Sequence, residues 1–163
     1  SDKLSTPYVE NLTRSNITVN TLILGVLDMF HNTEKNITIV NKCDELIINV
    51  DKYKLMLAIR NLLDNALKYG SSTKKIKLSI SHENNNLKID VQDWGIGIPQ
   101  EQLSKIKEPF YRGTSSRLTH KSGFGLGLAI TQKIITAHKG TLSVESKLKE
   151  GTCFTIILPL KKL

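Results

Sequence analysis

Long apolar runs are absent from this chain of 163 residues, and cysteine is scarce. A typical long apolar stretch is the one at 156–160, which is far shorter than a membrane-spanning helix requires. The two cysteines, Cys43 and Cys153, lie far apart, and neither has a companion at the spacing of metal ligands. This pattern argues for a reducing compartment and against a disulfide framework or a zinc site.

Several familiar catalytic motifs are also missing. The chain has no GxxxxGKS or GxxxxGKT loop and no HRD or DFG segment, which excludes P-loop enzymes and eukaryotic-type protein kinases. The glycines at 123–127 follow the polar segment LTHKS, whereas a dinucleotide-binding fold places them after a strand.

Acidic residues are in the minority, because 15 Asp and Glu against 23 Lys and Arg give a formal charge of +8. Such a surplus is compatible with a polyanionic partner, such as nucleic acid or an anionic membrane. The basic residues are scattered, however, and no stripe of aromatic and basic residues is visible. We therefore expect no nucleic-acid partner, and we interpret most of the surplus as a solvated basic surface.

The periodicity of apolar residues predicts an α+β fold. Spacings of three and four predict helices over 16–30, 52–69 and 126–138, the second beginning after the N-cap Asp51 and stopping at Gly70. Alternation predicts strands around 37–39, 46–50, 75–80, 87–91, 142–146 and 153–158. The stretch 93–127 lacks periodicity, which is typical of a functional segment. We expect a two-layer sandwich with helices on one face of a mixed, mostly antiparallel sheet.

The helix predicted over 52–69 carries two stripes. One is apolar and expected to be buried; it comprises Leu55, Ala58, Ile59, Leu62, Leu63 and Ala66. The other is polar, because Asn61, Asn65 and Lys68 recur at spacings of four and three. Amide oxygens suit a hydrated metal ion, and an ammonium group suits a phosphate. The same spacing also fits amides that cap nearby loops and a lysine in solvent.

Two glycine-rich motifs follow this helix in the chain. DWGIGIP at 93–99 stands where a strand ends, and Asp93 offers an acceptor beside glycines that allow close backbone approach. A tight turn between a strand and a helix is an equally good interpretation of that motif alone. GFGLGLAI at 123–130 leads into a helix, whose N-terminal amides favour anions such as phosphate.

The order of the motifs is more specific than any one of them. An asparagine-rich helix, DxGxG, EPFYRG at 108–113, GxGxG opening a helix, and Gly151 with Thr152 before a last strand follow one another. This order closely resembles the ATP-binding catalytic domain of bacterial sensor histidine kinases. Their superfamily, which includes gyrase, heat-shock chaperones and mismatch-repair ATPases, has the Bergerat fold. The resemblance implies a lead-in from a preceding dimerisation region over 1–15 and an ATP-binding catalytic domain over 16–163.

The resemblance also implies a role for the motif residues. Asn65 would ligate Mg²⁺ with Asn61 beside it, and catalysis would depend on Asn61, Lys68 and Arg112. Asp93 would accept a hydrogen bond from the adenine amino group. The full set implied for nucleotide binding is Asn65, Lys68, Tyr69, Asp93, Gly95, Gly97, Ile98, Phe110, Arg112, Gly123, Gly125, Leu126, Gly127, Leu128 and Thr152. Trp94 and Phe124 depart from the residues usual at their positions.

Asn61 stands where gyrase-like and chaperone-like members carry a glutamate that activates water. Because an asparagine cannot accept a proton from water at neutral pH, we expect slow hydrolysis of ATP.

The chain has four histidines, His31, His82, His120 and His138. None of them lies in a motif like that of the family's phosphoacceptor, and we expect each of them at the surface.

The resemblance therefore implies the Mg·ATP-binding cytoplasmic domain of a homodimeric inner-membrane protein. Its partners would be a dimerisation domain of the same protein, which carries the acceptor histidine, and a cognate response regulator. The alternative is a nucleotide-dependent switch or scaffold of the same superfamily that transfers no phosphoryl group.

Overall fold

The computed structural model describes residues 11–30, 36–106 and 125–160 of the chain. Within these ranges the chain forms strands and helices whose bounds are as follows. They are β1 (Ser15–Thr18), α1 (Val19–Leu27), β2 (Ile37–Asn41), β3 (Ile47–Val50), α2 (Lys52–Tyr69), β4 (Ile76–Glu83), β5 (Asn86–Asp93), α3 (Gln100–Ile106), α4 (Gly125–Ala137), β6 (Thr141–Lys147) and β7 (Gly151–Pro159).

Five strands form the main sheet, in the order β2, β4, β5, β7, β6. Strand β2 runs parallel to β4, and all other neighbours in this sheet are antiparallel. Strands β1 and β3 form a separate antiparallel pair. The predicted α+β fold with a mixed, mostly antiparallel sheet is therefore confirmed.

The core lies between the helices and the apolar face of the main sheet. Paired residues such as Leu78 with Val91, and Ile89 with Ile156, are almost inaccessible to solvent. All members of the apolar stripe predicted on α2 are buried, so that prediction is confirmed. The opposite face of the sheet carries polar side chains such as Lys77 and Thr155, as expected for a sheet that faces water on one side.

Helix α2 has the bounds that the sequence predicts, and its caps explain why. The side chain of Asp51 accepts a hydrogen bond from the backbone N–H of Lys54 at 3.1 Å, and Gly70 is the C-cap. An N-cap of this kind stabilises a helix by about 1 kcal/mol. Helix α2 is the element that positions the polar stripe.

Two predictions about the first third of the chain and the glycine-rich stretch are wrong in part. The predicted helix over 16–30 begins only at Val19, because Ser15–Thr18 is strand β1. The oxygen Oγ1 of Thr18 caps α1 by accepting from the N–H of Thr21 at 3.1 Å. The stretch predicted as irregular over 93–127 contains α3 at Gln100–Ile106.

A polar cluster joins the exposed residues before β1 to the start of α2, and we call it the N-terminal junction. It comprises Asn11 and Thr13 together with the buried Asp51, Lys54 and His138. The N–H of Thr13 donates to Oδ2 of Asp51 at 2.8 Å, and Nζ of Lys54 donates to the carbonyl of Asn11 at 2.7 Å. The N–H of Asp51 donates to Nε2 of His138 at 3.1 Å. His138 is 3% exposed, so the prediction of a surface histidine is wrong at this position.

None of the helices in the described ranges is both long enough and apolar enough to cross a membrane.

Candidate nucleotide site

Helix α2 arranges four of the predicted site residues along one edge. Asn61, Asn65 and Lys68 follow one another at successive turns, and Tyr69 ends the helix. At 1.5 Å of rise per residue, Asn61 and Tyr69 lie about 12 Å apart along the axis. This length is suited to an extended ligand. The edge also changes in character along the helix, because Asn65 is buried, Tyr69 is half-buried and Lys68 is exposed. Burial also raises the pKa of Tyr69 above its usual value.

The side chain of Asn65 has a polar group without a partner in the described part of the chain. The residue is 6% exposed, and its Nδ2 is enclosed yet makes no hydrogen bond to any described residue. A buried donor left in this state costs about 1–3 kcal/mol. A native fold tolerates such a cost where a ligand supplies the missing interaction, so Asn65 is a strong candidate for contact with a ligand.

Asn61 is held by the first turn of α4. Its Nδ2 lies 3.4 Å from the carbonyl oxygen of Gly127 and 3.4 Å from Oγ1 of Thr131. The hydroxyl of Thr131 in turn donates to the same carbonyl at 2.8 Å. A Cβ on Gly127 would lie 3.9 Å from Cγ of Asn61, an ordinary contact. The structure thus brings together two predicted residues, and it adds Thr131, which the sequence did not single out.

Asp93 lies at the end of β5, on the inner face of the sheet and next to the end of α2. It is 6% exposed, and its Oδ1 accepts a hydrogen bond from the N–H of Gly95 at 2.9 Å. Burial raises the pKa of this carboxyl above its usual value, against the opposing effect of backbone hydrogen bonds from Gly95 and Thr152. A buried carboxylate of this kind is an acceptor for a donor group of a ligand.

Thr152 pairs with Asp93 across the sheet and belongs to a small hydroxyl network. Oγ of Ser146 donates to the carbonyl of Gly151 at 2.9 Å and accepts from the N–H of Ile98 at 2.8 Å. Ser146 has already donated its only hydroxyl proton to Gly151. In the 2.8 Å contact between the hydroxyls of Ser146 and Thr152, Thr152 is therefore the donor. The oxygen of Thr152 therefore keeps its acceptor capacity for a ligand. No local motif in the sequence indicates Ser146. Its position opposite Thr152 follows only from the register between β6 and β7.

The glycines of DWGIGIP are required by the protein's own packing. A Cβ on Gly95 would lie 1.7 Å from the carbonyl oxygen of Tyr69. Gly97 has φ +74°, and a Cβ there would lie 2.2 Å from the carbonyl oxygen of Lys147. Gly95 thus locks the motif to the end of α2, and Gly97 locks it to the turn between β6 and β7. The close approach of a nucleotide base to Gly95 and Gly97 stays a prediction.

The remaining predicted residues fall into three groups. Ile98 and Leu128 are buried members of the core, and Gly125 and Leu126 open α4. Phe110, Arg112 and Gly123 lie outside the described residues. Trp94 is 37% exposed and lines the outer face of the sheet, opposite to Asp93, beside residues such as Lys88 and Cys153.

Amide oxygens are the metal ligands that this site offers. In the described part of the chain, no group of three or more His, Cys, Asp or Glu side chains could hold a metal ion. Mg²⁺ prefers hard oxygen ligands and completes its coordination with water and phosphate. The oxygens of Asn61 and Asn65 fit a magnesium ion that arrives with a phosphorylated ligand.

Comparison with known proteins agrees with this geometry. Residues 50–162 match the family described as histidine kinase-, DNA gyrase B-, and HSP90-like ATPase. The chain belongs to this family. Its motif order had predicted a member of the sensor histidine kinase branch, and the similar proteins confirm that prediction.

Two curated relatives and one solved structure illustrate the similarity. Sensor protein RprX of Bacteroides fragilis is 40% identical over 149 residues, which cover 88% of this chain and 29% of RprX. The signal transduction histidine-protein kinase ArlS of Staphylococcus epidermidis is 39% identical over 116 residues, covering 71% of this chain and 25% of ArlS. The nucleotide-free catalytic domain of histidine kinase ThkA has a TM-score of 0.74 and 26% identity, covering 93% of this chain and 100% of that domain. The chain thus spans less than a third of either curated relative.

Proposed function

We propose that this chain binds Mg·ATP and donates the γ-phosphoryl group to a histidine on a separate dimerisation domain. Its relatives RprX and ArlS are named as a sensor protein and a histidine-protein kinase, which supports this activity. The observation that carries the proposal is a buried amide on α2, Asn65, whose N–H group has no partner among the described residues, together with the buried carboxylate of Asp93 beside the end of that helix. The N–H group of Asn65 suits a phosphate oxygen, its amide oxygen suits the metal, and the carboxylate suits the base.

Each end of the nucleotide has candidate contacts in this arrangement. Asn65 and Asn61 would hold Mg²⁺ through their oxygens, and Lys68 would contact phosphate oxygens. Asp93 would accept the adenine amino hydrogen, which would favour ATP over GTP because guanine carries a carbonyl at that position. Tyr69 and Thr152 would border the sugar and base. The roles of Arg112, Phe110 and Gly123 stay predictions, since those residues lie outside the described ranges.

Catalysis would depend on positioning and on charge neutralisation. The bond between the γ-phosphorus and the bridging oxygen breaks, a bond to the acceptor imidazole nitrogen forms, ADP leaves, and the imidazole N–H proton passes to solvent. Mg²⁺, when bound, neutralises charge on the phosphates. Asn61 has no basic group that could activate water, so the bound ATP would persist until the histidine arrives.

The remaining parts of the signalling protein are inferred from the same resemblance. We propose that residues 16–163 form the catalytic domain and that 1–15 lead in from a dimerisation region with the acceptor histidine. The full protein would be a membrane-anchored homodimer with a cytoplasmic response regulator as its partner.

A transfer experiment tests the activity directly. The chain is incubated with γ-labelled ATP, Mg²⁺ and the dimerisation domain of its own full-length protein, and phosphohistidine is measured as acid-labile, base-stable label. We expect label on the acceptor and little free phosphate when the acceptor is left out. Tight binding of Mg·ATP without label on histidine would instead support the nucleotide-dependent switch.

A further inference from the structure

We infer that Thr131 is a positioning residue that fixes the amide of Asn61 so that its oxygen, and not its NH₂ group, is presented to the nucleotide. This inference rests on the proposed function, because it concerns how the same site holds Mg·ATP. Thr131 is completely buried, and it lies one helical turn after Gly127 on α4. It lies outside the motifs that the sequence analysis identified.

Counting protons gives the orientation of the amide. The single hydroxyl proton of Thr131 is donated to the carbonyl of Gly127 at 2.8 Å, so Oγ1 is left as an acceptor. Nδ2 of Asn61 lies 3.4 Å from each of these two oxygens, which are only 2.8 Å apart, so one N–H group is shared between them. The NH₂ group of Asn61 is thereby directed toward α4. The oxygen Oδ1 is the polar atom that remains for a ligand.

A threonine hydroxyl bonded to the carbonyl four residues earlier is common in helices and by itself indicates nothing. Here the same oxygen also faces a side chain of another helix, α2. If the hydroxyl is removed, Asn61 loses one of its two acceptors and its amide can turn. A turned amide presents N–H groups, which bind phosphate oxygens but cannot ligate a cation.

The expected effect therefore depends on the cation. Thr131→Val, which removes the hydroxyl and keeps the shape, should weaken binding of Mg·ATP about two- to tenfold by calorimetry. Binding of ATP in excess EDTA should be unchanged. Thr131→Ser, the matched control, keeps the hydroxyl and should restore the affinity for Mg·ATP to within about twofold of the parent chain.

A double-mutant cycle separates positioning from a general loss of stability. In the Asn61→Ala background, Thr131→Val should have no further effect on the affinity for Mg·ATP, because its action passes through Asn61. An equal effect in both backgrounds would overturn the inference. So would equal weakening with and without Mg²⁺.

A second readout needs no nucleotide. In the NMR spectrum of the free chain, the side-chain amide hydrogen of Asn61 that faces α4 should exchange with water more slowly than those of the exposed Asn84. In Thr131→Val this hydrogen should shift and exchange faster; should that variant not fold, Thr131→Ala serves the same purpose. Identical Asn61 side-chain signals with and without the hydroxyl would overturn the inference and leave the proposed function standing. Failure of the parent chain to bind Mg·ATP would refute the proposed function. It would also refute the inference that the oxygen of Asn61 is presented to a nucleotide.

Discussion

The two halves of helix α2 both bury polar side chains, but they treat them differently. At the N-terminal junction, each carboxylate oxygen of Asp51 accepts a backbone N–H, and the Nζ of Lys54 lies 3.5 Å from Oδ2. About one turn before its C-terminal end, the same helix encloses Nδ2 of Asn65 with no partner among the described residues. The side chains of Asp51 and Asn65 are about equally inaccessible to water, so burial does not distinguish them. The two regions differ in whether their polar groups have hydrogen-bond partners. We therefore infer that the junction stabilises the fold and that the amide of Asn65 binds a ligand.

The largest effect expected is on stability at the junction. Asp51→Ala removes the cap of α2 and leaves the buried Lys54 and the N–H of Thr13 without their carboxylate. We expect the free energy of unfolding to fall by about 3 kcal/mol or more in urea titrations. The affinity of the folded chain for Mg·ATP should change little, because the junction lies at the other end of the helix.

Glu150→Ala is the matched control for this substitution. Glu150 pairs with Lys147 at 3.1 Å, but both side chains are exposed, so the loss should stay within about 0.5 kcal/mol. Similar losses for the two substitutions would show that the junction has no special stabilising role.

The next effect concerns affinity at the base end of the site. Asp93→Asn keeps the size of the side chain but removes the charged acceptor, and we expect the affinity for Mg·ATP to fall roughly tenfold to a hundredfold. Stability should be unchanged or higher, since burial raises the pKa of this carboxyl and thus disfavours its charged form. Calorimetry and denaturant titration measure the two quantities.

Asp90→Asn provides the comparison for Asp93. Asp90 lies on the same strand but on the opposite face, where it contacts Thr155 and Lys88. Its substitution should leave nucleotide affinity unchanged. A comparable loss from both changes would argue against a base-binding role for Asp93.

The change in stability expected at Asn65 is smaller than at the junction, and it is opposite in sign to the change in binding. Asn65→Leu replaces an unsatisfied buried amide with an apolar group of similar shape, and the free chain should gain about 1 kcal/mol of stability. Binding of Mg·ATP should be lost. Asn20→Leu, on the exposed side of α1, should change stability by less than about 0.5 kcal/mol. Destabilisation by Asn65→Leu would show that the amide is satisfied within the protein after all.

The sequence predicts those parts of the molecule whose signals are local. The bounds of α2 follow from Asp51, Gly70 and an apolar stripe within one segment, and the hairpin of β4 and β5 follows from alternation around a turn. Its turn is short, because Asn84 and Asn85 both adopt positive φ, and the strands extend up to it. Motif order within one chain was likewise sufficient for the family.

Features that depend on register between distant segments were not predictable. The helical spacing over 16–30 does not reveal strand β1, because β1 is defined by its pairing with β3, which lies some thirty residues later. Ser146 and Thr131 are ordinary polar residues until the fold places them beside Thr152 and Asn61. The burial of His138 depends on Asp51, which is distant in sequence. Residues whose role is to hold other residues carry no local pattern of their own.

The last effect expected is a dependence of stability on pH at the junction. Nδ1 of His138 lies 2.9 Å from the carbonyl of Ile134, and Nε2 accepts from the N–H of Asp51, so the buried ring is neutral. Burial lowers the pKa of His138 from 6.5, and the charges of Arg14 and Lys54 lower it further, against the raising effects of the Ile134 carbonyl and Asp51. Below pH 6.5, His138 therefore binds a proton in the unfolded chain but stays neutral in the folded chain until its lowered pKa is reached.

Stability should consequently fall as the pH drops below 6.5, by up to about 1.4 kcal/mol per pH unit, until the folded pKa is passed. Asp51 acts in a separate window: burial raises its pKa, but hydrogen bonds from Thr13 and Lys54 and the Lys54 charge outweigh burial and lower it from 3.8. Its contribution is lost only as the pH falls below that value. Urea titrations between pH 4.5 and 7.5 should show the slope in the parent chain and in His82→Gln, an exposed control, but not in His138→Gln. An undiminished slope in His138→Gln would mean that another group titrates in this range, and that the satisfaction of the junction does not depend on a neutral ring.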